Sequence, residues 1–578
     1  MKFIQALLLC CLAIGGNVQA ESASNEVVAN SASTQQTDLA SAVTVTDSEV
    51  KTENSTESQT SSLIELVSQL PKASYKEKAE LLELIAADTA QSEKSLELLN
   101  AILKGELFYV KKTKQVVYRE AGEDKKYLAI DALTAEEVGL FKKRKLKKIG
   151  INNSLRRTLK GLIAELQISS ADENVREVAA SEILKNADAS LMPIIEKALI
   201  REEEDSIRTI LNTAKSIIEL ESDVSGIRLG AISALDGSLY PETRVALTQF
   251  IERIQQHPEQ FDETELTLAQ KNLDSINEMM KLNGILENVY FGIALGAVLL
   301  LAAIGLAITF GVMGVINMAH GEMIMLGAYT TFVIQQLMPE SIGMSLLVSI
   351  PAAFLVSGLV GVIIERTVIR HLYGRALETL LATFGISLIL QQAVRSIFGP
   401  LNQDVQTPDW MAGTFAVNAG LELTYNRLYI IIFSLLVLAA LAVVLKKTLF
   451  GLQMRAVTMN RPMASSMGIK TGWVDALTFG LGSGIAGIAG VALSQLTNVG
   501  PNLGQAYIID SFMVVVFGGV GNLWGTLVGA MSLGIANKVF EPMAGAVLAK
   551  IIVLVAIILF IQKRPRGLFA LKGRAVED

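Results

Sequence analysis

Asn317, His320 and Glu322 lie within six consecutive residues of INMAHGEMIMLGAY, a stretch otherwise suited to lipid. An ionisable side chain near a bilayer centre is costly unless it faces protein or water. These three must therefore line a polar route or satisfy one another in a buried network. On a regular helix Asn317 and His320, three apart, share a face and Glu322 does not. Gly321 allows a break that would bring His320 and Glu322 together, and irregular backbone at membrane depth is tolerated where it lines a cavity or is buried in protein. Two roles fit: a substrate-path or gating cluster, or a hydrogen-bonded knot near the cytoplasmic side that sets helix geometry.

A second polar set is spaced for one helix. In LETLLATFGISLILQQ, residues Thr379, Thr383, Ser387 and Gln391 recur at steps of four without a formal charge. Such a stripe either lines a route for a neutral or zwitterionic solute or bonds between helices. A third set lies in FGLQMRAVTMNRPMASSMGIK, Phe450 to Lys470, basic at its ends and amphipathic in the middle. That pattern predicts a short helix on the cytoplasmic face, where an energy-supplying partner can dock. Between about 151 and 255, in the charged part of the chain, no pair of carboxylates, nucleophile–base set or metal cluster stands out. No residue is assigned to catalysis or metal binding, no cofactor is implied, and enzyme classes are excluded.

The elements that must position these residues follow from composition. Of 578 residues, 51% are hydrophobic and 19% charged, with the charge concentrated between residues 21 and 287. That division predicts a soluble module joined to a membrane module, and the formal net charge of -7 gives no reason to expect nucleic acid. MKFIQALLLCCLAIGGNVQA reads as a signal peptide over residues 1–20. Both cysteines, Cys10 and Cys11, fall inside it, which excludes disulfides and thiolate chemistry from the mature chain. Residues 21–62 have the Ser, Thr, Ala and Gln bias of a disordered tail.

Residues 63–287 read as a mainly helical extracytoplasmic domain. ENVREVAASEIL, DSIRTILNTAKSII and SGIRLGAISAL each place an arginine (Arg176, Arg208, Arg228) at the start of an apolar-striped helix. Units of this kind stack, HEAT-like, because one helix pair cannot bury its own face. GELFYVKKTKQVVYRE predicts a β-hairpin, and FKKRKLKK, Phe141 to Lys148, reads as a solvated linker rather than a lipid- or partner-binding patch.

From residue 288 to 578 the pattern predicts an all-α polytopic bundle of eight or nine transmembrane helices in membrane lipid. Val289 to Phe310 is uncharged and long enough to cross a hydrocarbon core of about 30 Å. Lys and Arg gather in Arg366–Arg375, Lys446–Lys470 and Lys563–Arg574. Positive loops stay cytoplasmic, which places residues 63–287 outside and the C-terminus inside. Gly292 with Gly296, Gly480 with Gly484, and Gly521, Gly525 and Gly529 in series are spaced for close helix contact.

Several phrases then carry a family resemblance. GVINMAHGEMIMLGAY, RAVTMNRPMASSMGI and FMVVVFGGVGNLWGTLVGA resemble the permease subunit of branched-chain amino-acid-type ABC importers. Within that family the chain is most similar to the urea transporter permeases, which carry a long exported N-terminal extension. The resemblance implies an inner-membrane permease moving urea or a related small amide inward by alternating access. The alternatives are a branched-chain or other amino acid as cargo, or a stand-alone channel or carrier with a sensory outer domain. The implied partners are a second homologous permease subunit, two cytoplasmic ABC ATPase subunits and a periplasmic solute-binding protein. Arg455, Ala456, Asn460, Ala464, Gly468 and Ile469 match the family's ATPase-coupling loop, with Asn460 standing where the family usually has an acid. The chain has no G-x4-G-K-[ST] phosphate loop, so ATP would be hydrolysed on separate subunits. His320 and Glu322 belong to the family's general signature, which favours a conformational role for them.

Overall fold

The computed structural model describes residues 63–87, 92–121 and 126–569. The expected signal peptide, the tail over 21–62 and the last basic residues of the C-terminus lie outside the described residues. The chain divides into two compact units, residues 1–163 and 164–578.

In the first unit, helices α1 (Tyr75–Ala86) and α2 (Ser92–Lys104) precede five strands: β1 (Leu107–Val110), β2 (Val116–Ala121), β3 (Lys126–Asp131), β4 (Glu137–Lys142) and β5 (Leu146–Lys148). Ser74 and Glu77 close a reciprocal capping box at the start of α1, satisfying two backbone donors that the first turn leaves open. The strands form one antiparallel sheet in the order β4-β3-β2-β1-β5. The expected hairpin is β1–β2, with Leu107 opposite Tyr118 and Tyr109 opposite Val116. The basic run is a correction. Phe141–Lys148 forms the end of β4, a 3-10 turn and the edge strand β5, which pairs with β1. Leu146 is buried while Lys147 and Lys148 face solvent. A lysine-rich edge resists further strand pairing, and three residues are too few for a strand pattern to stand out of a charged run.

The second unit begins within helix α3 (Asn153–Ile168) and continues through α4 (Glu173–Lys185), α5 (Met192–Arg201), α6 (Asp205–Glu219), α7 (Ser225–Ala234) and α8 (Pro241–Gln256). Arg176, Arg208 and Arg228 each occupy the fourth position of their helix and each donates to the carbonyl six residues back: Ser170, Glu202 and Ser222. Two of them also hold a buried acid, Arg176 pairing with Glu202 at 2.9 Å and Arg228 with Glu265 at 3.0 Å. The recurring arginine seen in the sequence is thus one structural device repeated three times, tying each helix start to the loop before it.

Helix α9 (Glu263–Met313) has 51 residues, about 75 Å at 1.5 Å per residue. Its first part packs through Ala269 and Ile276 on Leu247, Phe250 and Ile254 of α8. Its last part is buried on all sides within the membrane helices. The compositional change at residue 288 therefore falls inside one unbroken helix. Around it stand α10 (His320–Leu337), α11 (Ile342–Thr367), α12 (Ala376–Phe398), α13 (Tyr425–Lys447), α16 (Thr471–Ser494), α17 (Gln505–Gly518), α18 (Leu523–Ala544) and α19 (Ala546–Lys563). Two short helices, α14 (Leu449–Met459) and α15 (Arg461–Ser466), precede α16, and a hairpin of β6 (Thr414–Asn418) and β7 (Leu421–Thr424) precedes α13.

Seven of these helices are long and apolar enough to cross a membrane: α9, α11, α12, α13, α16, α18 and α19. The eight or nine expected crossings correspond to these seven together with α10 and α17, which fall short. A polar first turn dilutes α10, and α17 has only 14 residues.

Glycine contacts hold the bundle together. A methyl group on Gly305 of α9 would lie 2.3 Å from the Gly482 carbonyl of α16. Among the predicted packing glycines, Gly292 and Gly296 meet α18, Gly480 and Gly484 meet α11, and Gly525 and Gly529 meet α17. Gly521, the first of the last series, lies before the helix, with its Cα against Gly311 of α9. It sits in the loop before α18 with φ +78°, a conformation that suits glycine, and Asn522 caps the helix that follows.

Candidate functional site

Gly314 ends α9 in the left-handed conformation, and the chain turns back through residues 315–319 before α10 starts at His320. The break thus precedes His320 rather than falling at Gly321. Asn317 lies outside the helix, where its Oδ1 accepts from the Ala319 amide at 3.0 Å. His320 points to α9, its Nε2 lying 2.8 Å from the Ala302 carbonyl oxygen. Ala302 is near the middle of the uncharged run Val289–Phe310, so His320 is held at the middle of that run. Gly321 serves a close approach: its carbonyl lies against Gly504, which caps the start of α17. Two helices too short or too polar to cross unaided therefore begin at the same point in the interior.

Glu322 points the other way from His320. Its Oε1 accepts from Ser387 Oγ at 2.9 Å and from Gln391 Nε2 at 2.8 Å, both on α12. Thr383, one turn earlier on α12, accepts from the Met318 amide at 3.2 Å. Thr379 turns to the carbonyls of Leu372 and Arg375. Part of the helical stripe and part of the opening cluster, separate in sequence, therefore meet: Glu322 with Ser387 and Gln391, and the Met318 amide with Thr383. All seven side chains are buried. Asn317 Nδ2, His320 Nδ1 and Glu322 Oε2 have no hydrogen-bond partner among the described residues. Buried polar atoms of this kind are uncommon and costly to leave unpaired. The expected pairing of His320 with Glu322 is absent, because a side chain in the first turn and one two residues on leave a helix in opposed directions.

The stripe has a fifth member that the sequence reading missed. Arg395, four residues after Gln391, donates to Asn502 Oδ1 at 2.7 Å. Its spacing was legible, but a charge near the end of a span reads first as a boundary.

At the other end of the bundle, Phe450–Lys470 folds into α14 and α15. Ala456, Ala464 and Ile469 pack inward with Met454 and Val457. Arg455 is exposed, and Gly468 takes φ +84° where α15 ends. Leu452, Met459, Met463 and Met467 are also exposed. Asn460 caps α15 by accepting from the Met463 amide at 3.0 Å. An Asp would make the same cap, so the departure from the family's acid costs no local structure.

The next residue, Arg461, was not singled out by the sequence reading. It donates to Asp475 on α16 and to the Tyr373 hydroxyl on the segment leading into α12. Nearby, the Arg366 guanidinium lies over Trp473, 4.1 Å from its ring centre. Buried Asp475 and Glu365 in otherwise apolar helices were the available signal. Among the described residues no group of three or more His, Cys, Asp or Glu is arranged to hold a metal ion.

Comparisons with known proteins bear on the membrane helices. Residues 288–561 match the family described as the permease component of branched-chain amino acid transport systems. The permease protein BraD of Pseudomonas aeruginosa, named for high-affinity branched-chain amino acid transport, is 29% identical over 296 residues, 49% of this chain and 95% of that protein. LivH of Escherichia coli K12, named likewise, is 31% identical over 293 residues, 49% of this chain and 94% of that protein. No solved structure matches the chain.

Proposed function

Because this chain belongs to the branched-chain amino acid transport permease family, we propose that it is one permease subunit of an ATP-driven importer of a small zwitterionic solute. The observation that carries this reading is the α14–α15 pair. It presents Leu452, Arg455, Met459, Met463 and Met467 to solvent, and a methionine-rich apolar face of this kind is suited to docking another protein. Two ATPase subunits would bind there and beneath a second permease subunit, with a solute-binding protein delivering cargo on the opposite side. Arg461 carries movement from the docking helices into α16 and towards α12 through Asp475 and Tyr373.

Orientation follows the same logic. The β6–β7 hairpin is tied to α9 by Asn283 donating to Asn418 at 3.1 Å and by Tyr290 donating to the Thr424 carbonyl at 2.8 Å. It therefore shares an end of the bundle with the helices of residues 164–287. The basic loops lie at the other end, which supports an external position for those helices and a cytoplasmic one for α14–α15.

The interface of Glu322 with Ser387 and Gln391 is the candidate conformational latch. In this conformation the stripe bonds α12 to α10 and does not face an open lumen. Separation of the two helices would expose Glu322, Ser387 and Gln391 to a passing solute.

The relatives' names favour a branched-chain amino acid. A urea importer is the second reading, favoured by the long region before residue 288 that the family match leaves uncovered. Uptake of radiolabelled leucine and urea by cells expressing the chain with its partners separates the two. ATPases that co-purify with the chain, and uptake that stops on ATP depletion, are the expected results. Uptake that survives depletion by the chain alone would favour a channel or carrier.

A further inference from the structure

A cleft of roughly 480 Å³ opens among Arg395, Asn402, Asn498, Pro501 and Asn502. That is within the size range of small-molecule sites. It lies between the loop after α12 and the loop before α17, which are joined by paired backbone hydrogen bonds between Gln403 and Val499. By the charge argument above, this is the outer end of the bundle.

None of the residues lining the cleft is acidic. Arg395 makes no ion pair among the described residues, and its one hydrogen-bond partner there is the neutral amide of Asn502. A half-buried guanidinium whose hydrogen-bond partner is an amide, and whose charge also acts on Glu322 further along the stripe, keeps most of its hydrogen-bonding capacity available. Its planar fork matches a carboxylate, which can accept two parallel N–H bonds. The side-chain amides of Asn402, Asn498 and Asn502 supply both donors and acceptors beside it. Gly500 keeps the wall thin, since a methyl group there would lie 2.2 Å from Asn402 Oδ1.

We propose that this cleft is an outer solute-handover site in which Arg395 takes the carboxylate of an amino acid. The proposal rests on the amino acid reading of the permease and assigns the residue that recognises the charged end of its cargo. The site leads directly to the latch, because Arg395 is one helical turn outward of Gln391 and two turns outward of Ser387 on α12. A solute leaving the cleft meets next the polar stripe that holds Glu322. An uncharged solute such as urea would gain much less from Arg395 than a carboxylate.

The test is uptake of radiolabelled L-leucine, L-leucinamide and urea by membrane vesicles carrying the complete transporter, with its own solute-binding protein common to all variants. Arg395→Gln is expected to lower leucine uptake at least about tenfold, the scale of one charge-assisted hydrogen bond. Arg395→Lys should retain part of the activity. Uptake of leucinamide, which lacks the carboxylate, should change little between the native chain and Arg395→Gln. Asn402→Asp, which places an acid in the cleft, should also lower leucine uptake while the ATPases still co-purify. If Arg395→Gln fails to assemble, this second variant decides. Leucine uptake at the native rate in Arg395→Gln, or in Asn402→Asp, overturns the handover site and leaves the amino acid reading standing. ATP-dependent uptake of urea with none of leucine overturns the amino acid reading, and the handover site with it.

Discussion

Glu265 and Glu322 are two of the buried carboxylates among the described residues, and they are held in opposite ways. Glu265, at the start of α9, is fully buried against Arg228 and also accepts from Ser225, so each oxygen has a donor. Glu322, on α10, is held only by neutral donors on α12, and one of its oxygens has none among the described residues. The first arrangement is saturated and belongs to architecture. The second is half-satisfied, held across a helix interface, and can be remade when helices move. A buried acid with a full set of partners resists change, and one with a partial set at a joint invites it.

The contrast can be broken most directly at Arg228. Arg228→Leu strands the Glu265 carboxylate and should destabilise the helices of residues 225–287 by about 3–5 kcal/mol. Loss of amide-exchange protection in α7 and α8 would report it. A native exchange pattern would show that the pair is not structural.

Glu322→Ala should cost less, about 1–3 kcal/mol, because it leaves two neutral donors unpaired rather than a charge. Glu322→Gln sharpens the comparison, since its amide oxygen can still accept from Ser387 and Gln391. It should melt close to the native chain while transport falls about tenfold or more. Native transport by this variant would reduce the cluster to helix packing.

A smaller effect comes from Glu202, where the Arg176 guanidinium holds the carboxyl below the ordinary glutamate value of 4.5. A depressed folded-state pKa stabilises the fold above the unfolded value, and the contribution is lost as pH falls through the folded one. The helices of residues 173–219 should therefore lose stability as pH drops below about 4.5, and Glu202→Gln should flatten that part of the profile. The smallest expected effect is at Asn460. Asn460→Ala removes the α15 cap at about 1 kcal/mol and should loosen ATPase coupling, whereas Asn460→Asp should behave as the native chain. Transport-linked ATP hydrolysis measures both.

Much of the candidate site was visible in residue spacing. The four-residue recurrence from Thr379 to Gln391 and the unexpected polarity of Asn317, His320 and Glu322 were each apparent without coordinates. Their union was not, because 65 residues separate Glu322 from Ser387 and no local pattern states which helices touch. The same limit hid Arg461 with Asp475, and Arg395 with Asn502. It also hid that Gly521 stands in a turn: a regular Gly-x3-Gly spacing takes no account of where a helix begins, and positive φ at Gly519 and Gly521 puts the turn there. The five-stranded sheet was only partly foreseen, since β5 is defined by its pairing with β1 and by little in its own sequence.

What the sequence alone determined is whatever depends on residues within a few turns of one another: the apolar lengths of the helices, the basic loops between them, the arginine at the fourth position of three helices before α9, and the amphipathic pattern of Phe450–Lys470. Tertiary structure alone decided which polar groups meet. It set the short helices α10 and α17 start to start at Gly321 and Gly504, turned His320 and Glu322 to different neighbours, and left a cation facing an open cleft. The reason is physical. Hydropathy and helix period act along the chain, whereas the partner of a buried polar group is chosen by the packing of helices far apart in it.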